Sequence, residues 1–328
     1  MTLLRALLIR REAGIFVMIL LFCSVVGAVK PQFLTLNSLR IILLLTPLIL
    51  IGAMGQMLVI VARHVDLSIG SMLGLSAMLT GMMFKFYPEI WWPLGFILAI
   101  GTGTLLGLTN GVLVTLFRLP AIIVTLGTLN LYRGLTYIVS DAKQIDRQFV
   151  PAALKAMSQT SPILGIPWII FMSLGIAALT YGFAMHSQIG RQIFALGSNP
   201  TAAPLRGINV TRVTLLVFAL SGALSGLAGI MYASRWGFVN PSNTGAGFEF
   251  QVIAAVVIGG VSINGGNGSV LGTLLGVLLL GCVSAALPLL GIPGTTQNAI
   301  YGAVILLALL IDRTVRQQGL QRLTTRAA

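Results

Sequence analysis

Ten apolar stretches, near residues 13–29, 41–62, 67–84, 93–117, 121–139, 163–185, 212–234, 250–264, 268–290 and 296–312, take up most of this 328-residue chain. A helix crossing a bilayer needs about 20 mostly apolar residues, and in lipid every backbone N–H and C=O must be paired within the segment. The pattern therefore predicts an all-α integral membrane protein of about ten transmembrane helices, one transmembrane unit over residues 1–328. Only 8% of its residues are charged, against about a quarter in a soluble domain, so water is not its main solvent. The eighth stretch is short and runs out through Gly259-Gly260-Val261-Ser262-Ile263-Asn264-Gly265-Gly266-Asn267-Gly268, which reads as a tight turn or a broken helix.

Orientation follows from where the basic residues fall, because cytoplasmic loops collect Lys and Arg. With the N-terminus inside, twelve arginines lie on the inner side, among them Arg10, Arg11, Arg63, Arg118, Arg191, Arg206, Arg212 and Arg313, against seven basic residues outside. Both termini are thus expected in the cytoplasm, with residues 1–12, 186–211 and 313–328 as its cytoplasmic segments. The 140–162 segment, with Asp141, Lys143, Asp146, Arg147 and Lys155, faces outward as a docking surface for an external partner. Arg10-Arg11 before an apolar run has the outline of a signal peptide, but no small-x-small site ends the run and nine more stretches follow, so it reads as the first span.

Several function classes fall away. Metal catalysis needs clustered His, Cys or carboxylates, whereas His64 and His186 are far apart and no metal site is expected. Cys23 and Cys282 both sit in apolar runs and read as packing residues. Each of the four lysines, Lys30, Lys85, Lys143 and Lys155, lacks the Gly-Lys-Ser/Thr context of a phosphate loop, so no nucleotide is expected on this chain. The formal charge of +13 is scattered between spans, not massed on one soluble face as nucleic-acid binding requires. Rows of glycine four residues apart, Gly103, Gly107 and Gly111, and Gly268, Gly272 and Gly276, predict close helix approach.

Ionisable groups in spans face a cavity or a partner. Asp66, just ahead of an apolar run, is expected to cap the following helix. Glu249 likewise precedes a span, where a helix N-terminus favours negative charge; it is placed at the outer mouth of a pathway, under a docked partner, or simply on the dipole. Neither acid is expected at the membrane midplane. Arg133 lies just inside the outer end of its span, in snorkelling range of the interface. Thr125, Thr128 and Asn130 bring uncharged hydrogen-bonding groups to membrane depth, suited to a neutral hydroxylated solute, although Thr also bonds its own backbone. Asn110 either lines the same pathway or joins two helices.

Four segments in order, Val65-Asp66-Leu67-Ser68-Ile69-Gly70, Asn110-Gly111-Val112-Leu113-Val114, Pro120-Ala121-Ile122-Ile123-Val124-Thr125-Leu126-Gly127-Thr128 with Arg133-Gly134, and Gly247-Phe248-Glu249 leading to Ile253-Ala254-Ala255-Val256-Val257-Ile258-Gly259-Gly260, together resemble the sugar permeases of ABC importers. The likeness is to the ribose, rhamnose and autoinducer-type branch and runs from about residue 40 to 310.

The resemblance implies a multi-pass protein of the bacterial inner membrane that is not itself an enzyme. It implies pairing with a second, identical or related permease and with a cytoplasmic ATPase that carries ATP and Mg, while a periplasmic sugar-binding protein delivers solute. It further implies that the loop from Gly197 to Val210 holds a short coupling helix seated in the ATPase, with Asn199, Ala202, Ala203, Arg206 and Gly207 as contacts, and that Phe248 joins Glu249 on the substrate pathway. A deoxyhexose such as rhamnose, or a furanosyl autoinducer, is favoured over ribose. A branched-chain amino acid permease and a secondary carrier are the competing readings.

Overall fold

The computed structural model describes residues 11–159, 165–294 and 296–307. Residues 1–10 and 308–328, which hold most of the expected cytoplasmic ends, lie outside the described residues. The helices, in chain order, are α1 (Arg11–Val29), α2 (Leu36–Val61), α3 (Ile69–Phe86), α4 (Leu94–Leu116), α5 (Ala121–Ser140), α6 (Ala152–Gln159), α7 (Trp168–His186), α8 (Gln188–Ser198), α9 (Val210–Trp236), α10 (Phe248–Ile258), α11 (Val270–Leu289) and α12 (Thr296–Leu307). Eight of these are long and apolar enough to cross a membrane, and α10 and α12 are shorter apolar helices. Each of the ten expected stretches holds a helix within the described residues, but the eighth stops at Ile258, well short of its anticipated end.

Helix starts follow local chemistry. The hydroxyls or amide oxygens of Thr35, Ser187, Asn209 and Ser269 accept from the backbone N–H three residues on, capping α2, α8, α9 and α11; each cap satisfies a donor that the helix leaves orphaned. Helix α2 is almost wholly buried and packs against α9, α11, α7 and α10, while α9 also contacts α3 and α4. Helix α1 stays on the outside, resting on α11, and α5 leaves most of its surface uncovered.

The α4–α9 seam shows why Gly recurs every fourth residue. A Cβ on Gly103 would strike the Gly222 carbonyl oxygen and a Cβ on Gly222 would strike that of Gly103, while Gly107 meets Phe218 in the same way. The second row behaves alike: Gly272 faces the carbonyl of Gly259 and Gly276 that of Ala255, pressing α11 onto α10. Apolar tails of lipid provide no hydrophobic drive between helices, so such close van der Waals approach carries the association.

Two segments turn back into the protein interior. After α2, Arg63 takes a left-handed φ of 73°, and the chain climbs past Phe218 and Thr214, which neighbour His64, to Asp66. After α9, residues 237–247 descend from an antiparallel bridge between Val239 and Ile145 to Gly245, whose carbonyl lies against Gly70. Helices α3 and α10 therefore both begin inside the bundle and run away from one another.

Cys23 on α1 and Cys282 on α11 are free thiols with Sγ atoms 4.0 Å apart. Mild oxidation of membranes with copper phenanthroline is expected to join them, read by peptide mass spectrometry; absence of the cross-link would place α1 elsewhere.

Candidate functional site

The turn before α3 is built around a carboxylate with no basic partner. Asp66 is fully buried. Its Oδ1 accepts from the Ser68 backbone N–H at 2.9 Å and from Ser68 Oγ at 2.7 Å, and its Oδ2 accepts from Ser221 Oγ of α9 at 3.2 Å. Ser68 Oγ in turn accepts from Asn110 Nδ2 of α4 at 2.7 Å. The Tyr132 hydroxyl of α5 lies 2.9 Å from the Leu106 carbonyl and 3.3 Å from Asn110 Oδ1. One acid thus accepts directly from Ser68 ahead of α3 and from Ser221 of α9, and reaches Asn110 of α4 through Ser68, so both its oxygens are satisfied as buried polar atoms must be.

This corrects the expected role of Asp66. The N-cap residue of α3 is Ser68, whose side chain makes no capping bond; Asp66 instead closes a two-residue turn ahead of the helix. Ser221 lies about 16 Å along α9 from Val210, so Asp66 is held deep in the bundle. Asn110 joins helices, as the second of its two expected roles has it, and it is fully buried.

Glu249 is also deeper than the sequence indicated. Its carboxylate lies against Gly70, the second residue of α3, and Gly70 is about 24 Å along that helix from Phe86. The outer-mouth placement therefore fails, because the 237–247 segment carries the start of α10 inward. Here the N-termini of α3 and α10 converge, and their positive dipole ends favour negative charge. Glu249 Oε2 is buried without a hydrogen-bond partner. Arg133 is close enough to act on it electrostatically, while Arg133 Nη1 donates to the Thr244 carbonyl at 2.6 Å. Arg133 therefore reaches inward to the descending segment and does not snorkel. Phe248 packs on Gly52 of α2.

The three polar residues earlier on α5 separate. Thr125 is buried, with its hydroxyl 2.9 Å from the Ala121 carbonyl and 3.3 Å from that of Val65. Thr128, also buried, donates to the Thr125 carbonyl. Both hydroxyls are taken up by backbone, so neither faces a pathway within the subunit. Asn130 lies on the opposite, exposed side and donates to Leu126; Gly127 and Gly134 on this side have open space before them.

The segment after α8 forms a second, exposed feature. Asn199 Oδ1 accepts from Thr201 Oγ1 at 2.7 Å and from the Ala202 N–H at 3.0 Å. A single 3-10 turn, Pro204–Arg206, follows, and Gly207 reverses the chain with a φ of 77°, a left-handed value that glycine adopts without steric cost. Ala203 was expected among the contact residues, but its side chain is buried inward and only its backbone serves the turn. Leu205, not foreseen, is 88% exposed beside exposed Arg206; the only signal for it was a large apolar residue in a polar loop. At its root, Gly197 is pressed between the Val61 carbonyl and Gly266, whose N–H donates to that carbonyl at 2.9 Å. The exposed turn is thereby footed on the end of α2 and on the turn that follows α10.

On the opposite side, Asp141 and Lys143 form an exposed ion pair of 2.6 Å, and the ammonium holds the Asp141 carboxyl below its ordinary range. Asn240 Nδ2 donates to Gln144 Oε1 across the two loops.

Comparison with known proteins gives one consistent picture. Residues 38–309 match the family described as branched-chain amino acid transport system / permease component. The chain is 35% identical to the autoinducer 2 import system permease protein LsrC of Yersinia enterocolitica, over 96% of this chain and 88% of that one. It is 34% identical to LsrC of Escherichia coli O157:H7, over 93% and 88%. It is 38% identical to the ribose import permease protein RbsC of Haemophilus influenzae, over 92% and 93%. No solved structure matches it.

Proposed function

The chain belongs to the branched-chain amino acid transport system / permease component family, and from that premise we propose that it is the membrane-spanning subunit of an ATP-driven importer in the bacterial inner membrane, carrying a monosaccharide or a furanosyl autoinducer inward. The named relatives act on autoinducer 2 and ribose, which favours a polyhydroxylated cargo over an amino acid. No covalent chemistry falls to this subunit.

The observation that carries the mechanism is the footing of the 199–207 turn. Leu205 and Arg206 stand out from the bundle at its expected cytoplasmic face, next to small Ala202 and Gly207. This fits a cleft on a separate ATPase, the site of ATP and Mg, with Leu205 as an apolar plug and Arg206 toward an acidic wall. Movement of that turn passes through Gly197 and Gly266 to α10, and hence to Glu249 and the start of α3. ATP favours one arrangement only through tighter binding to it, since a partner with equal affinity for both shifts nothing.

The pathway itself runs between this permease and a second one, along the uncovered side of α5 where Asn130 offers a polar group between Gly127 and Gly134. A periplasmic binding protein docks on the outer loops near Gln144 and Asn240. A self-powered carrier would need its carboxylates open to a coupling ion. Asp66 is instead occupied by three donors, and Glu249 lies within electrostatic reach of Arg133.

Uptake of labelled ribose, rhamnose, autoinducer and leucine is compared in cells with and without the gene and with Arg206→Glu in its place. Loss of one sugar without the gene names the cargo; leucine loss alone would overturn the sugar reading. Reversing a charge at a desolvated contact costs about 2–5 kcal/mol, so R206E is expected to cut uptake at least about tenfold at an unchanged membrane level. Full uptake by R206E removes that residue from the coupling contact.

A further inference from the structure

A cavity of about 770 Å³ opens between α2, α9, α11 and α12 on the side where α2 begins and α9 ends. Much of its wall is apolar, with Leu44, Leu48 and Ile49 on α2 and Phe248 at the start of α10, while Gln251 and Tyr301 add polar groups. Near the end of α9 the lining changes to Tyr232, Arg235 and Trp236. Tyr and Trp gather at membrane–water interfaces, so this ring marks the level of lipid headgroups on the outer side.

Arg235 is the unusual member. Its Nε is buried with no hydrogen-bond partner, and its guanidinium stands 5.2 Å from the Trp236 ring centroid. The charge that acts on it is another cation, Arg40, exposed one turn into α2. Among the described residues neither arginine forms an ion pair. A guanidinium with an unpartnered Nε in the wall of a largely apolar crevice calls for an anion, and a guanidinium fork matches phosphate oxygens in particular. The adjoining apolar wall calls for a hydrocarbon tail on that anion.

We propose that this crevice binds a phospholipid of the outer leaflet, with its phosphate held by Arg235 and an acyl chain along Leu48 and Ile49. The bound lipid neutralises Arg235 and fills the space between α2 and α11, so it braces the half of the bundle that carries the outer ends of α1 and α12. The site is separate from the coupling turn and from the uncovered side of α5, and stands whatever the cargo is.

The test is native mass spectrometry of the full-length protein, purified in a neutral maltoside and titrated with dioleoyl phosphatidylglycerol, with inorganic phosphate as the competing arm. The wild type is expected to retain lipid. Arg235→Gln is expected to weaken retention about tenfold, the value of one lost charge-assisted bond, and Arg235→Lys to restore much of it. Ile41→Trp, at a crevice residue that is exposed and so tolerant of bulk, is expected to weaken it similarly by filling the acyl channel. Equal retention by R235Q, I41W and wild type overturns the proposal, as does no lipid retained at all. Displacement of the lipid by equimolar inorganic phosphate, with I41W without effect, would show a plain anion site and overturn the lipid assignment.

Discussion

Replacing Gly222 by leucine is expected to remove the folded protein from the membrane almost entirely. The Cα of Gly222 faces the carbonyl of Gly103, and the Cα of Gly103 faces the carbonyl of Gly222, so any side chain at either place meets backbone and not a yielding side-chain end. Overpacking a core by a few methylenes costs about 1–3 kcal/mol when neighbours can shift. Here the neighbour is a helix backbone, α4 has to part from α9 along its length, and the loss compares with the total stability of about 5–15 kcal/mol. Gly101, on the facing helix α4, is the control, because a Cβ there meets nothing within 4 Å. Fluorescence-detected size exclusion of fusions in mild detergent should show the monodisperse peak reduced at least about tenfold for Gly222→Leu and unchanged for Gly101→Leu, several kcal/mol apart. Equal peaks for the two variants would mean that α4 and α9 do not pack as described.

The glycine seam was readable because its signal is periodic: Gly103, Gly107 and Gly111 repeat at one helical turn, and a helix has only one way to place such a row. The spans were readable for the same reason, through length and apolarity. What the sequence concealed were the two re-entrant segments. Residues 62–68, with Arg63, His64, Asp66 and Ser68, and residues 237–247, with Asn240, Pro241, Ser242 and Asn243, have the polar, turn-rich composition of loops at a membrane face, so nothing in it says that they run inside the bundle. Depth was therefore misjudged for Asp66 and Glu249 together, since each was measured from the end of an imagined full-length span. Thr125 and Thr128 illustrate a different limit. A hydroxyl on a helix can satisfy the preceding turn or a solute equally well, and only the contact with Val65 shows which way Thr125 points. The family, by contrast, was carried by four ordered motifs, and their order survives whatever depth each one occupies.

Glu249→Lys is expected to abolish uptake, and Glu249→Gln to leave the protein folded with little change in stability. The carboxylate sits where two helices start, against Gly70 of α3 and in the first turn of α10. A negative charge at a partly buried helix N-terminus is worth up to about 2 kcal/mol, and Arg133 lies within electrostatic reach, while burial of Glu249 Oε2 with no hydrogen-bond partner among the described residues works against the charge. Glutamine keeps the shape and forfeits both the charge and its cost of burial, so the unfolding temperature in detergent should change little. Lysine sets a cation against two positive helix ends and an arginine, away from water, where no rotamer of a residue packed on Gly70 can carry it out. The second consequence is mechanical: Gly266, at the foot of the coupling turn, follows α10 by a few residues, so a start of α10 no longer held at Gly70 cannot pass motion on to α3. Uptake and thermal unfolding measured together separate the two effects. A Glu249→Gln protein of full stability but lost uptake would assign Glu249 to the transport cycle itself, whereas wild-type stability and uptake in Glu249→Lys would show that α3 and α10 do not converge on this carboxylate.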